Sequence, residues 1–177
     1  MSGPHHLIHI KDPLIRAGQN AFSIARGGTD MTVIEWKAEF ELGLAAMDET
    51  HREFAALLND MEAAGDAEME EKLDQFIAHT VAHFEQENQW MRLSDFPPIG
   101  CHMGEHERVL TVLFEVRRMV RTGQPRVARW LAAELSKWFE GHAATMDYAL
   151  AAYIRQTGFD VAAQSPRSAT IGIPPTV

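Results

Sequence analysis

Apolar residues in the middle of the chain recur at steps of three and four, the spacing that places them on one face of an α-helix. The first such stretch runs from Asp48, a residue type favoured at helix N-caps, to Ala64, with Gly65 as its stop. The second begins after Asp66 and runs to about Ser94, and the two prolines that follow prevent it from continuing. Two amphipathic helices are therefore predicted before residue 97.

Two more stretches with the same period follow. The third predicted helix spans roughly 101–122, with Gly123 past its end. The fourth begins at Pro125, which suits the first turn of a helix, and ends by Gly158. No stretch alternates apolar and polar residues between turn signals, as a strand would. Four helices joined by short connections predict an all-α, up-down-up-down four-helix bundle.

Both ends of the chain lack this periodicity. Residues 1–30, which end soon after Gly27, are interpreted as a flexible N-terminal arm. Residues 31–158 are assigned to the bundle. Residues 159–177 are rich in proline and small polar residues and are interpreted as a disordered C-terminal tail.

Charge and composition narrow the classes of partner. The 177-residue chain has a formal net charge of −9, so it repels nucleic acid and anionic lipid, and neither is expected as a partner. No apolar run approaches the roughly 20 residues that a membrane span requires. The first residues lack the apolar core of a secretory signal, and a single cysteine, Cys101, fits a reducing compartment. A cytoplasmic protein is expected, and a monomer is favoured.

The inward faces of the helices carry polar residues where a bundle core should be apolar. Burying a polar group without a partner costs about 1–3 kcal/mol, so repeated burial needs an explanation. Histidines four residues apart on a helix form a chelating pair. Imidazole and carboxylate suit iron, zinc or copper, and five imidazoles suit two ions bridged by carboxylate. The residues are His51 on the first helix, His83 and Glu87 on the second, His102 and His106 on the third, and His142 on the fourth.

Other candidate ligands are weighed against this set. A single inward histidine is more often a hydrogen-bonded core residue than a ligand, but four helices that each present an imidazole are difficult to explain separately. His79 is expected at the surface or behind the ligands, while Glu85 and Glu105 are assigned to other or solvated faces. Three histidines lie in the N-terminal arm and are expected to bind metal only weakly: His5, His6 and His9.

Several motifs follow one another in a fixed order. They are Trp36, Met47-Asp-Glu-Thr-His51, His83-Phe-Glu-Gln-Glu87 followed by Met91, His102-Met-Gly-Glu-His106, and Trp138-Phe-Glu-Gly-His142-Ala-Ala-Thr-Met-Asp147. Together they resemble the bacterial hemerythrins, and the resemblance covers about 36–153 with all seven ligand positions of that family. Family members often have two adjacent glutamates in the second-helix motif, whereas here Glu87 is followed by Asn88.

The resemblance implies two iron ions and assigns their ligands. Three histidines would hold one iron, two would hold the other, and two carboxylates would bridge them together with an oxo or hydroxo group. In that order the residues are His102, His106 and His142; His51 and His83; and Glu87 and Asp147. The second iron would keep an open position for dioxygen.

Spacing alone does not pair His142 with Asp147. Residues five apart on an ideal α-helix differ by about 140° in direction. A carboxylate that reaches round the helix, or a local bulge in the helix, would bring the two together. The assignment of Asp147 therefore rests on the resemblance.

An open ferrous site in an apolar pocket implies reversible binding of dioxygen by a carrier, store or sensor, and no enzymatic activity is expected. The residues that could line this pocket are Phe54, Leu110, Leu113, Trp138 and Phe139. The alternative is a di-iron enzyme that handles peroxide or nitric oxide or repairs iron centres. The chain lacks a second carboxylate-rich set of histidines and glutamates of the kind found in Glu-x-x-His bundles, which argues against an oxygen-activating oxygenase. A structural bundle that stores zinc or iron is the third hypothesis.

Overall fold

The computed structural model describes residues 32–164, and within them the chain forms four long helices and no strand. The helices are α1 (Ala45–Ala63), α2 (Met69–Leu93), α3 (Ile99–Arg121) and α4 (Arg126–His142), the last of which continues through a π-helical segment (Ala143–Asp147) into α5 (Tyr148–Thr157). Each of the four packs against the next, and α4 returns to α1. The predicted all-α four-helix bundle is confirmed.

Apolar side chains fill the bundle in two clusters, one at each end of the helices. The large apolar cluster includes Phe54, Leu58, Phe76, Leu113, Leu131 and Phe139. The small apolar cluster includes Met47, Trp90, Met91, Phe96, Leu150 and Ile154. On every helix the predicted metal ligands fall between members of the two clusters. A polar layer therefore lies inside the bundle with apolar packing above and below it.

Helix α1 does not begin where the sequence predicted. It starts at Ala45, so Asp48 is inside the first turns and is not the N-cap residue. The Asp48 carboxylate instead reaches back and accepts hydrogen bonds from the backbone N–H groups of Leu42 (2.7 Å) and Gly43 (3.1 Å). Asp48 thus anchors the chain that enters the helix, a role that spacing does not distinguish from a cap.

The other helix ends agree with the predicted ones within a few residues. Helix α3 starts directly after Pro98, slightly earlier than expected, and Pro125 is the N-cap of α4. Gly158 ends α5 in the left-handed conformation (φ 70°), which a glycine adopts without steric cost. The fourth predicted helix is interrupted only by the π-helical segment.

The segment before α1 is fixed onto the bundle by two polar side chains. Asn59 accepts hydrogen bonds from the N–H groups of Val33 (2.9 Å) and Ile34 (3.1 Å) and donates one to the Ile34 carbonyl. Ser136 donates to the Val33 carbonyl at 2.7 Å. These contacts join the start of the described chain to α1 and α4.

Most of both predicted termini lies outside the described residues. This holds for the arm (1–30) with its three histidines and for the tail after residue 164. At the start of the predicted tail, Phe159 and Val161 pack against the small apolar cluster, so the packed chain extends past residue 158. The domain boundaries otherwise stay predictions. In the described part of the chain, no helix is long and apolar enough to cross a membrane.

Candidate metal centre

All seven predicted site residues meet inside the bundle and form the polar layer. Their exposed fractions lie between 0 and 6%, although histidine and carboxylate side chains are rarely buried without partners. Their donor atoms fall into two groups, and within each group they lie within 4.8 Å of one another. The three-histidine group contains Glu87, His102, His106, His142 and Asp147, and the two-histidine group contains His51, His83 and Glu87.

The ring nitrogens of the three-histidine group point at carboxylate oxygens. Nε2 of His102 and Nε2 of His142 each lie 3.1 Å from Oδ1 of Asp147. Nε2 of His106 lies 3.3 Å from Oε2 of Glu87. The Nε2 atoms of His102 and His142 are only 3.1 Å apart. Three imidazoles and one oxygen of each carboxylate thus converge.

The two-histidine group faces the remaining oxygens of the same carboxylates. Oε1 of Glu87 lies 3.1 Å from Nε2 of His83 and 3.6 Å from Nε2 of His51. Oδ2 of Asp147 lies 3.3 Å from Nε2 of His51. Glu87 and Asp147 therefore each turn one oxygen to each histidine group, which is the arrangement of a bridging carboxylate.

Local helix geometry explains how the paired residues come together. His83 and Glu87, and likewise His102 and His106, are four apart on regular α-helix and so lie one turn above each other. Asp147 is five residues after His142, and the intervening residues form the π-helical segment. A π-helix has a wider turn, with hydrogen bonds from i to i+5, and this brings Asp147 over His142. The local bulge considered in the sequence analysis is present.

The unsatisfied polar atoms of the layer fit a pair of cations. Both carboxylate oxygens of Asp147, Oε2 of Glu87 and the Nε2 atoms of His51 and His106 are buried without a hydrogen-bond partner in residues 32–164. The close Nε2 atoms of His102 and His142 can share only one proton. A buried polar atom without a partner costs about 1–3 kcal/mol, whereas a cation accepts lone pairs from all of them. Imidazole and carboxylate donors suit iron.

The imidazoles keep the two carboxylates charged. Burial and the neighbouring charge of Asp147 would each raise the pKa of Glu87, but the surrounding histidines outweigh both and hold it well below its ordinary value. Burial would likewise raise the pKa of Asp147, and the imidazoles of His142, His102 and His51 hold it well below its usual range. Both side chains are therefore anionic at neutral pH, the form in which a carboxylate binds a cation.

The histidines respond differently to the same surroundings. Burial would lower the pKa of His51, but the nearby carboxylates of Asp147 and Glu87 outweigh it and raise the pKa to about 10. At His142 the charges of Asp147 and Glu87 likewise outweigh burial and raise the pKa. At His106 burial prevails and lowers the pKa. Without metal, protons compensate the carboxylate charge on some of these rings.

Aromatic rings surround the layer, as the sequence predicted in part. Trp138 stacks on His142 with ring centroids 4.4 Å apart. Phe139 meets His51 edge-on at 5.1 Å. Of the remaining predicted lining residues, the ring of Phe54 lies 6.0 Å from that of His83, Leu113 belongs to the large apolar cluster and Leu110 packs against that cluster.

Two residues beside the centre were not singled out by sequence reasoning. Phe84 stacks on His106 with centroids 3.9 Å apart and an interplanar angle of 3°. Asn88 places its Oδ1 3.0 Å from Nδ1 of His106. Both lie on α2, while His106 lies on α3. Their position one residue after a ligand was the available signal, but it does not reveal contacts between helices.

Residues that the sequence analysis set aside lie outside both groups. His79 is half-buried, contacts the Thr50 carbonyl through Nε2 at 3.2 Å and lies 6.0 Å from the ring of His83. Glu85 is exposed and pairs with Arg92. Glu105 pairs with Arg108 on its own helix at 2.6 Å. None of these three residues belongs to a candidate metal group.

The fold and the polar layer together define a helical bundle protein with a candidate dinuclear metal centre in its interior. The family model described as the hemerythrin HHE cation binding domain matches residues 42–154. The chain belongs to the hemerythrin family.

Known relatives agree with this assignment. The chain is 43% identical over 130 residues to a bacteriohemerythrin of Ralstonia nicotianae, covering 73% of this chain and 95% of the relative. It is 25% identical over 129 residues to a bacteriohemerythrin of Stenotrophomonas maltophilia, covering 71% of this chain and 84% of the relative. Crystal structures of hemerythrin mutants share the fold with a TM-score of 0.65 at 22% identity, covering 70% of this chain and 98% of theirs.

Proposed function

We propose that the polar layer holds two iron ions and that the protein binds dioxygen reversibly, as a carrier, store or sensor and not as an enzyme. Membership of the hemerythrin family and the buried group of histidines and carboxylates support a di-iron, oxygen-binding protein. The observation that carries the proposal is that Glu87 and Asp147 each turn one oxygen toward each histidine group. The proposed ligands are His51, His83, Glu87, His102, His106, His142 and Asp147.

The two groups supply different numbers of donors. Three imidazoles and two carboxylates would hold one ion, whereas two imidazoles and the same two carboxylates would hold the other. The ion beside His51 and His83 would therefore have one protein ligand fewer, and the coordination position left open there is the proposed site for dioxygen. Two ferrous ions held by these residues would supply the electrons that dioxygen binding requires.

The protein keeps water and protons away from this position. His51 and Phe54 are fully buried, and Phe139 is 1% exposed. Their rings contact one another at centroid distances of 5.0 to 5.1 Å. Apolar walls exclude the water and protons that drive irreversible oxidation of a ferrous site. The two anionic carboxylates offset part of the charge of two buried cations.

A cycle of reduction and oxygenation tests the proposal. The purified protein is reduced without air, exposed to oxygen and then deoxygenated, while its visible spectrum and its metal content are measured. We expect two irons per chain and a charge-transfer band that appears with oxygen and disappears without it. Irreversible bleaching or turnover of peroxide would favour the enzyme alternative. A colourless protein that contains zinc would favour the structural one. The predicted monomeric state and cytoplasmic location remain separate predictions.

A further inference from the structure

We propose that Asn88 is a positioning residue for the metal centre. Its side-chain oxygen accepts a hydrogen bond from Nδ1 of His106 and holds that imidazole in the tautomer whose Nε2 lone pair faces the metal. The inference rests on the proposed function, since it concerns how one proposed iron ligand is oriented.

The contact joins two helices at one turn. Oδ1 of Asn88 lies 3.0 Å from Nδ1 of His106, and Nε2 of the same ring lies 3.3 Å from Oε2 of Glu87. Asn88 and Glu87 are neighbours on α2, so a single turn of that helix places an acceptor beside Nδ1 and a candidate metal ligand beside Nε2 of a ring on α3. The hydrogen bond holds the ring at Nδ1 and leaves Nε2, which has no hydrogen-bond partner in the described residues, facing the carboxylates of the layer.

The chemistry of the imidazole makes this contact decisive for the tautomer. A neutral imidazole carries one N–H, and the other nitrogen offers a lone pair. An amide oxygen can only accept, so the proton belongs on Nδ1 and the lone pair on Nε2. Metal-bound histidines generally donate their second N–H to such a partner, which fixes the tautomer and the orientation of the ring.

A second contact limits the motion of the same ring. Phe84 lies one helical turn before Asn88 and stacks on His106 with an interplanar angle of 3°. Stacking restrains the tilt of the imidazole, but it does not distinguish one ring face from the other. The hydrogen bond to Asn88 supplies that distinction, because a flipped ring would place carbon opposite the amide oxygen.

His106 differs in this respect from other histidines of the layer. The Nδ1 atoms of His51, His83 and His102 are buried without a hydrogen-bond partner within the described part of the chain. A neutral amide also polarises the Nδ1–H bond less than a carboxylate would. Asn88 therefore sets both the orientation and the electron-donor strength of His106.

Two substitutions of Asn88 in the full, iron-loaded chain test the inference. Asn88→Leu keeps a similar volume but removes the acceptor, and Asn88→Asp keeps an acceptor and adds a charge. The matched control is Gln89→Leu, because Gln89 is the next residue, is also half-buried and makes no side-chain hydrogen bond to the layer. Iron content, iron retention against a chelator and the reduction potential are measured for each.

We expect Asn88→Leu to weaken retention of one iron by about 10- to 100-fold, as for other partners of metal-bound histidines. Asn88→Asp should retain both irons and lower the reduction potential, because a carboxylate makes the imidazole a stronger donor. Gln89→Leu should match the wild type in every measurement.

The outcomes separate the two proposals. If Asn88→Leu holds both irons as tightly as Gln89→Leu does, Asn88 only packs and the inference is wrong. If Asn88→Leu does not fold, Asn88→Asp decides, since an unchanged reduction potential would contradict the role in donor strength. If the wild-type chain itself binds no iron, the proposed function fails, and the inference fails with it.

Discussion

The two histidine groups of the polar layer differ in how their rings are held. In the three-histidine group, Phe84 lies flat against His106 at 3.9 Å. Trp138 lies nearly flat against His142 at 4.4 Å with an interplanar angle of 24°. Asn88 adds a hydrogen bond from outside. Each of these contacts restricts the tilt or the flip of an imidazole.

The rings of the two-histidine group have edge-on or tilted ring contacts and no stacked one within the described residues. Phe139 meets His51 at 88° and Phe54 meets His83 at 75°. Their Nδ1 atoms have no hydrogen-bond partner in the described residues. The group with more donors is thus also the more firmly held. We propose from this difference that one side of the centre would retain metal and that the other side, with fewer donors and apolar walls, would exchange a small ligand.

The largest expected effect comes from removing a residue that both groups share. Glu87→Ala should reduce iron to near zero per chain, because each group loses an anionic donor and the positive charges lose their compensation. Elemental analysis of the purified protein measures this loss. The control is Glu85→Ala, which removes an exposed carboxylate two residues away. Full iron content in Glu87→Ala would refute the bridging role.

A change in the two-histidine group alone should affect oxygen binding more than the fold. We expect His83→Ala to abolish the oxygen-dependent band while far-ultraviolet circular dichroism stays helical. His79→Ala is the matched control, since His79 lies one turn before His83 on the same helix but outside both groups. It should keep full, reversible colour. Reversible colour in His83→Ala would mean that the open position lies elsewhere.

Removing the metal should make the free energy of unfolding depend on pH between neutral and alkaline conditions. The pKa of His51 is about 10 in the folded chain and 6.5 ordinarily, so between these values the folded state holds a proton that the unfolded state releases. The free energy of unfolding of the metal-free protein should therefore fall as pH rises through this window, by at most about 1.4 kcal/mol per pH unit from this group.

Urea unfolding of the metal-free and iron-loaded proteins measures this slope. The iron-loaded protein should lack the contribution, because a metal replaces the proton on His51. If the free energy of unfolding of the metal-free chain stays constant or increases with pH, His51 is neutral in the folded protein.

The smallest expected effects come from substituting the aromatic neighbours of the histidines. These substitutions should affect the three-histidine and two-histidine groups differently. Phe84→Leu and Phe54→Leu should each lower the free energy of unfolding. The lost ring contacts account for on the order of 1 kcal/mol, in addition to the effect of burying less apolar surface. Phe84→Leu should weaken iron retention, whereas Phe54→Leu should speed irreversible oxidation of the reduced protein. Chelator competition and the decay of the oxygen-dependent band measure the two. Identical behaviour of both variants would remove the distinction between the groups.

Features that depend on neighbouring turns of one helix were determined by the sequence alone. The pairs His83 with Glu87 and His102 with His106 are four residues apart, and an α-helix places such residues together whatever surrounds it. The same periodicity predicted four helices and their inward faces, and the structure confirms both. The assignment of Asp147 came from the family resemblance instead, since regular α-helical spacing points it elsewhere.

Contacts that cross between helices were decided only by the tertiary structure. The π-helical segment turns Asp147 toward His142, and packing of all four helices sets which oxygen faces which group. The stacking of Phe84 on His106 and the hydrogen bond from His106 to Asn88 depend on the register of α2 against α3. Helical periodicity describes one helix at a time, whereas that register results from the fit of many side chains at once.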